Sequence, residues 1–89
     1  MKHYPYHETI FVDGIEWPFE VVIDKDHAGD FVIFRGHINV ADRQLGVSYY
    51  VSKKLYYRAA ADICDRAEAT ILEKLRSTIK QWYNSSEGE

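Results

Sequence analysis

The chain is predicted to be α+β, a four-stranded antiparallel β-meander packed on one long C-terminal amphipathic α-helix. Three observations lead there: apolar and polar residues alternate with period two in the first half, Asp13-Gly14 separates two such runs, and no Gly or Pro lies between Ser52 and Gly88. At 89 residues the chain has room for a single domain over 1–89, because a chain of this size buries only about 60–65% of its unfolded surface. With 46% hydrophobic and 28% charged residues, five Gly and two Pro, the composition excludes disorder and fibrous repeats.

The first strand is expected at about 7–12 and the second at about 15–23, with Asp13-Gly14 supplying the positive-φ positions of a two-residue hairpin turn. In the second, Ile15, Trp17, Phe19, Val21 and Ile23 share one face, and Glu16, Pro18, Glu20, Val22 and Asp24 share the other. Pro18 cannot donate to a ladder, so the pairing there is either open or bulged. The polar run Asp24 to Asp30 reads as a loop leading into a third strand at 31–40, where Gly36 suggests a bulge. After a second loop, Ala41 to Gly46, the β-branched and aromatic residues of 47–51 make a fourth strand.

Ser52 is a suitable N-cap, and Ala, Leu, Glu, Lys and Arg then carry one helix over about 53–83, with 84–89 frayed. At 100° per residue Tyr56, Ala60, Ile63, Cys64, Ala67, Ile71, Leu75 and Trp82 form its apolar side. A helix of about 30 residues is roughly 45 Å long, against about 20 Å for six-residue strands. Ile71, Leu72, Leu75, Ile79, Trp82 and Tyr83 are therefore expected to overhang the sheet and to associate with a second copy, unless a kink near Glu68 to Thr70 folds the end back.

Charge is unevenly placed. The formal net charge is −3, yet residues 1–46 hold four bases against eight acids and residues 47–89 seven against six. Glu16, Glu20 and Asp24 recur every four residues, about 13 Å apart along a strand. That is too wide for carboxylates sharing a proton and suits a row of contacts with a basic surface. With Asp26 and Asp30 they form the expected protein-binding acidic face; its alternative is an acidic surface that only confers solubility.

Tyr49, Tyr50, Lys53, Lys54, Tyr57 and Arg58 interleave rings and bases at a strand-to-helix junction, the mixture that stacks on nucleobases and meets phosphates. The acidic balance makes nucleic acid the second choice of partner. Asp24-x-Asp26-x-x-Gly29-Asp30 begins like a calcium loop, but Arg35 stands where the closing Glu belongs and strands flank it; the histidines lack structural-zinc spacing. No metal and no cofactor are expected. Cys64 is the single cysteine and lies on the apolar helix side; with no nucleophile elbow, phosphate loop or HExxH pattern, catalysis is disfavoured.

A lone thiol, the lack of an apolar leader in the first eight residues and the lack of a membrane-length apolar run together imply a cytoplasmic protein with no membrane partner. The run Phe19 to Asp26 followed by Gly29 to Phe34 resembles the opening hairpin of HicB-type antitoxins. Those proteins continue with a Pro-Asp-x-Pro-Gly stretch that this chain lacks, and no function is carried over. The expectation is a non-catalytic regulatory or inhibitor protein. Through the acidic sheet face, the overhanging helix or both, it would bind another protein with a basic or apolar surface, such as a nucleic-acid-handling machine whose groove the acids occupy. A nucleic-acid module is the alternative, and a small enzyme assembled across a dimer interface the third reading.

Overall fold

The computed structural model describes residues 3–40 and 43–87, and the side chains of 3–39 and 43–82. Four strands, β1 (Tyr6–Val12), β2 (Ile15–Ala28), β3 (Phe31–Val40) and β4 (Arg43–Ser52), precede two helices, α1 (Lys53–Arg58) and α2 (Ala60–Glu87). The strands form one antiparallel sheet in the order β1-β2-β3-β4, and the helices cover one of its faces. This is the α+β meander the sequence predicts.

Turn chemistry sets the first two connections. Asp13 (φ 53°) and Gly14 (φ 78°) take the left-handed conformation at both central positions of the β1–β2 hairpin, which a tight turn matched to strand twist requires. Gly29 (φ 59°) opens the two-residue β2–β3 turn that joins Ala28 to its partner Phe31. Between Thr9↔Glu20 and Phe11↔Glu16 the β1–β2 register shifts. Trp17, Pro18 and Phe19 there lie opposite Ile10, so the missing N–H of Pro18 falls in the irregularity expected of it.

Two expected loops are strand instead. Asp24 to Ala28 continues β2, because each of its residues finds a partner on β3 from Arg35 to Phe31; only Gly29 and Asp30 turn. Arg43 to Gly46 belongs to β4, paired from Val40 to His37, whereas Ala41 and Asp42 lie outside the described residues. Turn propensity yields here to ladder pairing, since the neighbouring strand offers a partner at every position and hydrogen bonds at alternate ones.

These longer strands overturn the expected overhang. β2 has 14 residues and α2 has 28, spans of about 46 Å and about 42 Å, so helix and sheet match in length. Ile71 and Leu75 are fully buried and Ile79 is 4% exposed; Leu72 packs against the same core. Trp82 is half-buried beneath the Arg43 guanidinium, 5.1 Å from its ring, and the Tyr83 side chain lies outside the described residues.

The helix also breaks where no breaker stands. Ser52 caps α1, its hydroxyl accepting from the Leu55 amide at 3.3 Å, and the Lys53 amide donates to the Asp30 carbonyl at 2.9 Å. Ala59 then leaves helical geometry (φ −149°, ψ 54°) before α2 begins. With no loop after β4, the first turn is aimed by the strand, and one non-helical residue re-aims the chain along the sheet. α2 is uninterrupted through Glu68 to Thr70 and continues to Glu87, past the expected kink and into the expected frayed tail.

The core joins Ile10, Val12, Val21, Ile23, Val32, Phe34, Ile38 and Val51 of the sheet to Tyr56, Ile63, Ala67, Ile71, Leu75 and Ile79 of the helices. At its centre Gly36 keeps regular register with Ile23 and Val47, so it marks no bulge. A Cβ on Gly36 would overlap Ile71 Cγ2. Gly36→Ala should therefore destabilise the fold by about 1–3 kcal/mol through overpacking and Ile71→Ala by about 2–5 kcal/mol through a cavity. Urea titrations should show the double variant less destabilised than the two single losses together, because each change relieves the other; strict additivity would separate the two sites.

Candidate functional site

Alternation assigns every strand residue a face, and only one face has helices on it. The other carries His7, Thr9 and Phe11 from β1, Glu16, Pro18, Glu20, Val22, Asp24 and Asp26 from β2, Phe31, Ile33, Arg35, His37 and Asn39 from β3, and Gln44, Ser48 and Tyr50 from β4. No described element covers this outer face.

Two zones divide it. On β2, Glu16, Glu20, Asp24 and Asp26 project together; alternation predicts this direction for the first three, whereas Asp26, expected in a loop, joins them because β2 is longer. Glu20 meets His7 Nδ1 at 3.2 Å and Asp26 meets Arg35 at 3.6 Å, both pairs solvent-exposed and so weak contributors to stability. Glu16 and Asp24 have no ion-pair partner among the described residues. Asp30 sits apart from this row, in the β2–β3 turn, where its carbonyl receives Lys53. On β3 and β4, Phe31 and Tyr50 are 51% and 62% exposed. Between them Ile33 is buried although it belongs to no core cluster, because Asp26 and Tyr50 flank it on the neighbouring strands.

The aromatic and basic patch does not assemble. Tyr49 points to the helix side and meets Phe34 edge-on at 6.4 Å, whereas its neighbour Tyr50 points outward. Tyr57 is 67% exposed on α1 and stacks on His27, 6.3 Å away and 23° from parallel. Lys54 and Arg58 are exposed beside it and Lys53 is half-buried. Since α1 packs on the inner side, the sheet separates Tyr50 from Tyr57.

A polar cluster that sequence reasoning missed closes the inner face beyond the end of β1. The parity that buries Ile23 also turns Lys25 and His27 inward. Lys25 Nζ donates to the Tyr56 hydroxyl at 2.7 Å and lies 4.9 Å and 5.1 Å from the Tyr4 and Tyr56 ring centres, so its charge is met by an oxygen and two π faces. Burial, and then a hydrogen bond to Cys64, raise the Tyr4 hydroxyl well above its ordinary 10.0. Burial and the neighbouring Glu68 carboxylate raise that of Tyr6 similarly. Both phenols are donors, not bases, near neutrality. Cys64 is half-buried beside Tyr4. Extending the period-two pattern past Ile23 was the signal that could have found this cluster.

Two grooves of about 370 Å³ flank the β1–β2 turn. One is lined by Phe11, Glu73, Arg76 and Ser77 and the other by Ile15, Glu16, Trp17 and Pro18, and both share Val12, Asp13 and Lys80. The Lys80–Asp13 ion pair, 3.3 Å, ties the turn to α2. Among the described residues no three His, Cys, Asp or Glu side chains gather as metal ligands, and no helix is long and apolar enough to cross a membrane.

Compared with family models, with curated proteins and with solved structures, the chain matches none. Its own geometry carries the functional argument.

The raised phenols have a pH signature. An unfolded tyrosine ionises near 10, whereas Tyr4 and Tyr6 in the folded chain hold their protons to higher pH. Their contribution to stability is thus complete below pH 10 and is lost as pH rises above it. Urea midpoints followed from pH 8 to pH 12 should fall above about pH 10, and Tyr4→Phe with Tyr6→Phe should flatten that fall. An unchanged slope would show that these hydroxyls are not the groups responsible.

Proposed function

We propose that the protein is a non-catalytic recognition module that binds another protein of basic surface through its open outer sheet face. The observation that supports this best is the row Glu16, Glu20, Asp24 and Asp26 on one strand of an uncovered face, beside the exposed rings of Phe31 and Tyr50. Glu16 and Asp24, without ion-pair partners among the described residues, hold charge for an incoming Lys or Arg. The aromatic zone supplies the apolar contact that charge alone does not. Regulation or inhibition of a nucleic-acid-handling protein follows as one use of such a face, since those proteins expose basic grooves. A reducing, cytoplasmic setting suits the single free thiol.

The rings of Phe31 and Tyr50, with Arg35 on the same face one outward position beyond Ile33, favour the second reading, a nucleic-acid-binding face. The neighbouring carboxylates oppose it, because they would meet phosphates at close range.

The two readings separate in a pull-down from native extract, split into nuclease-treated and untreated halves. A discrete protein that survives nuclease and weakens with salt is expected. Changing Glu16, Glu20 and Asp24 together to Lys should lower its affinity at least tenfold while circular dichroism stays unchanged, because the three are exposed or half-exposed. Full retention by that variant refutes the acidic-face reading. Recovery of nucleic acid without protein, with a salt slope reduced by Arg35→Ala, would replace it by the second.

A further inference from the structure

The two edges of the sheet are unlike. β1 has seven residues, carries the register irregularity at Ile10 and follows Pro5 directly, all features that discourage pairing by another strand. β4 has ten residues and keeps unbroken register with β3 from Ser52 to Arg43. It contains no Pro, Lys, Asp or Glu, and its one charge, Arg43, is at its first position. An edge strand of that length and regularity lacks the usual guards.

Its hydrogen-bonding phase is known. The Lys53 amide donates to Asp30, so pairs two residues apart from it, 51 with 32, 49 with 34, 47 with 36 and 45 with 38, exchange the bonds between β4 and β3. Residues 44, 46, 48 and 50 then aim both backbone groups away from the sheet, as Ser52 does its amide. Gln44, Ser48 and Tyr50 have their side chains on the outer face, and all four even positions from 44 through 50 are exposed.

Packing among the described residues does not require a glycine at position 46. Gly46 is strand, its φ is not positive, and a Cβ there would meet nothing within 4 Å. This contrasts with Gly36, which admits Ile71. Glycine weakens a strand interior and often marks the approach of another backbone. Four residues on, Tyr50 holds a ring 62% exposed on the same face.

We infer that β4 pairs antiparallel with β4 of a second copy about a dyad at Ser48, joining two sheets into one of eight strands. In this register Ser48 faces its own counterpart, Gly46 faces the partner's Tyr50, and Gln44 faces the partner's Ser52. It engages the outward-aimed backbone groups over nearly the whole strand, and each Tyr50 ring lies over the opposing glycine, a recurrent rescue of edge glycines. Electrostatics permit it. The acidic rows on the two β2 strands are five strand spacings apart, about 24 Å, well beyond a Debye length of about 8 Å, so the net charge of −3 does not oppose contact at the neutral edge. One strand per chain makes a small interface, which places association in the micromolar range. The inference is independent of what the outer face binds, and both acidic rows stay open on the same side of the joined sheet.

The test is oligomeric state and register together. Sedimentation of the full chain from about 5 μM to about 1 mM should show a reversible monomer–dimer equilibrium. Ser48→Lys sets two ammonium groups against each other at the dyad and should weaken association at least tenfold with the spectrum of the fold unchanged. In a Cys64→Ser background, Ser48→Cys should be linked by a short bismaleimide, whereas Gln44→Cys should not, its two copies lying about 27 Å apart. A chain that stays monomeric at the highest concentration, a Ser48→Lys variant that associates as tightly as the native chain, or equal linking at 44 and 48 overturns the proposal.

Discussion

The close seating of α2 on the centre of the sheet is the constraint on which the other features depend. Gly36 leaves a gap that Ile71 enters, and Ala67 and Leu75, both fully buried, continue the contact one turn to either side. A small residue on a central strand lets a helix approach closely enough for its branched side chains to interdigitate with Val21 and Phe34. Once the one long helix is committed to that face, no described element covers the other.

The same geometry explains where polar groups are tolerated. β2 outlasts β1 at its C-terminal end, so Lys25 and His27 face inward where α2 has already given way to α1. Tyr4, Tyr56 and Tyr57 meet them there with rings and hydroxyls. At the other end Lys80 reaches Asp13 across the turn. Each end of the sheet is tied to the helical layer by a charged contact, while the middle is apolar.

Charge is segregated strand by strand. Four carboxylates on β2 face outward together, whereas β4 has a single base and a row of small or aromatic residues. The two proposed kinds of recognition therefore do not interfere on one sheet: side-chain charge acts across the face, and backbone hydrogen bonds along the edge. Charge would compromise the second by repelling an approaching strand, and its absence from most of β4 is as informative as its presence on β2.

Local chemistry determined a good deal of this in the sequence itself. Asp13-Gly14 needs positive φ, period-two alternation sets the outward direction of Glu16, Glu20 and Asp24, Ser52 caps the first helix, and an apolar stripe recurs at Ile63, Ala67, Ile71 and Leu75 on the second. These depend on neighbours within a few residues, which is why they are legible. Strand length is different: Asp24 to Ala28 and Arg43 to Gly46 are weak strand formers by propensity and became strand only because β3 offered each residue a partner. The break at Ala59, in a run of alanines suited to helix, was likewise decided by direction, since β4 aims α1 and the sheet aims α2. The burial of Ile71, Leu75 and Ile79, which reads in the sequence as a surface awaiting another molecule, followed from those longer strands. Tertiary structure alone decided it, because burial depends on what lies opposite a residue and not on the residue itself.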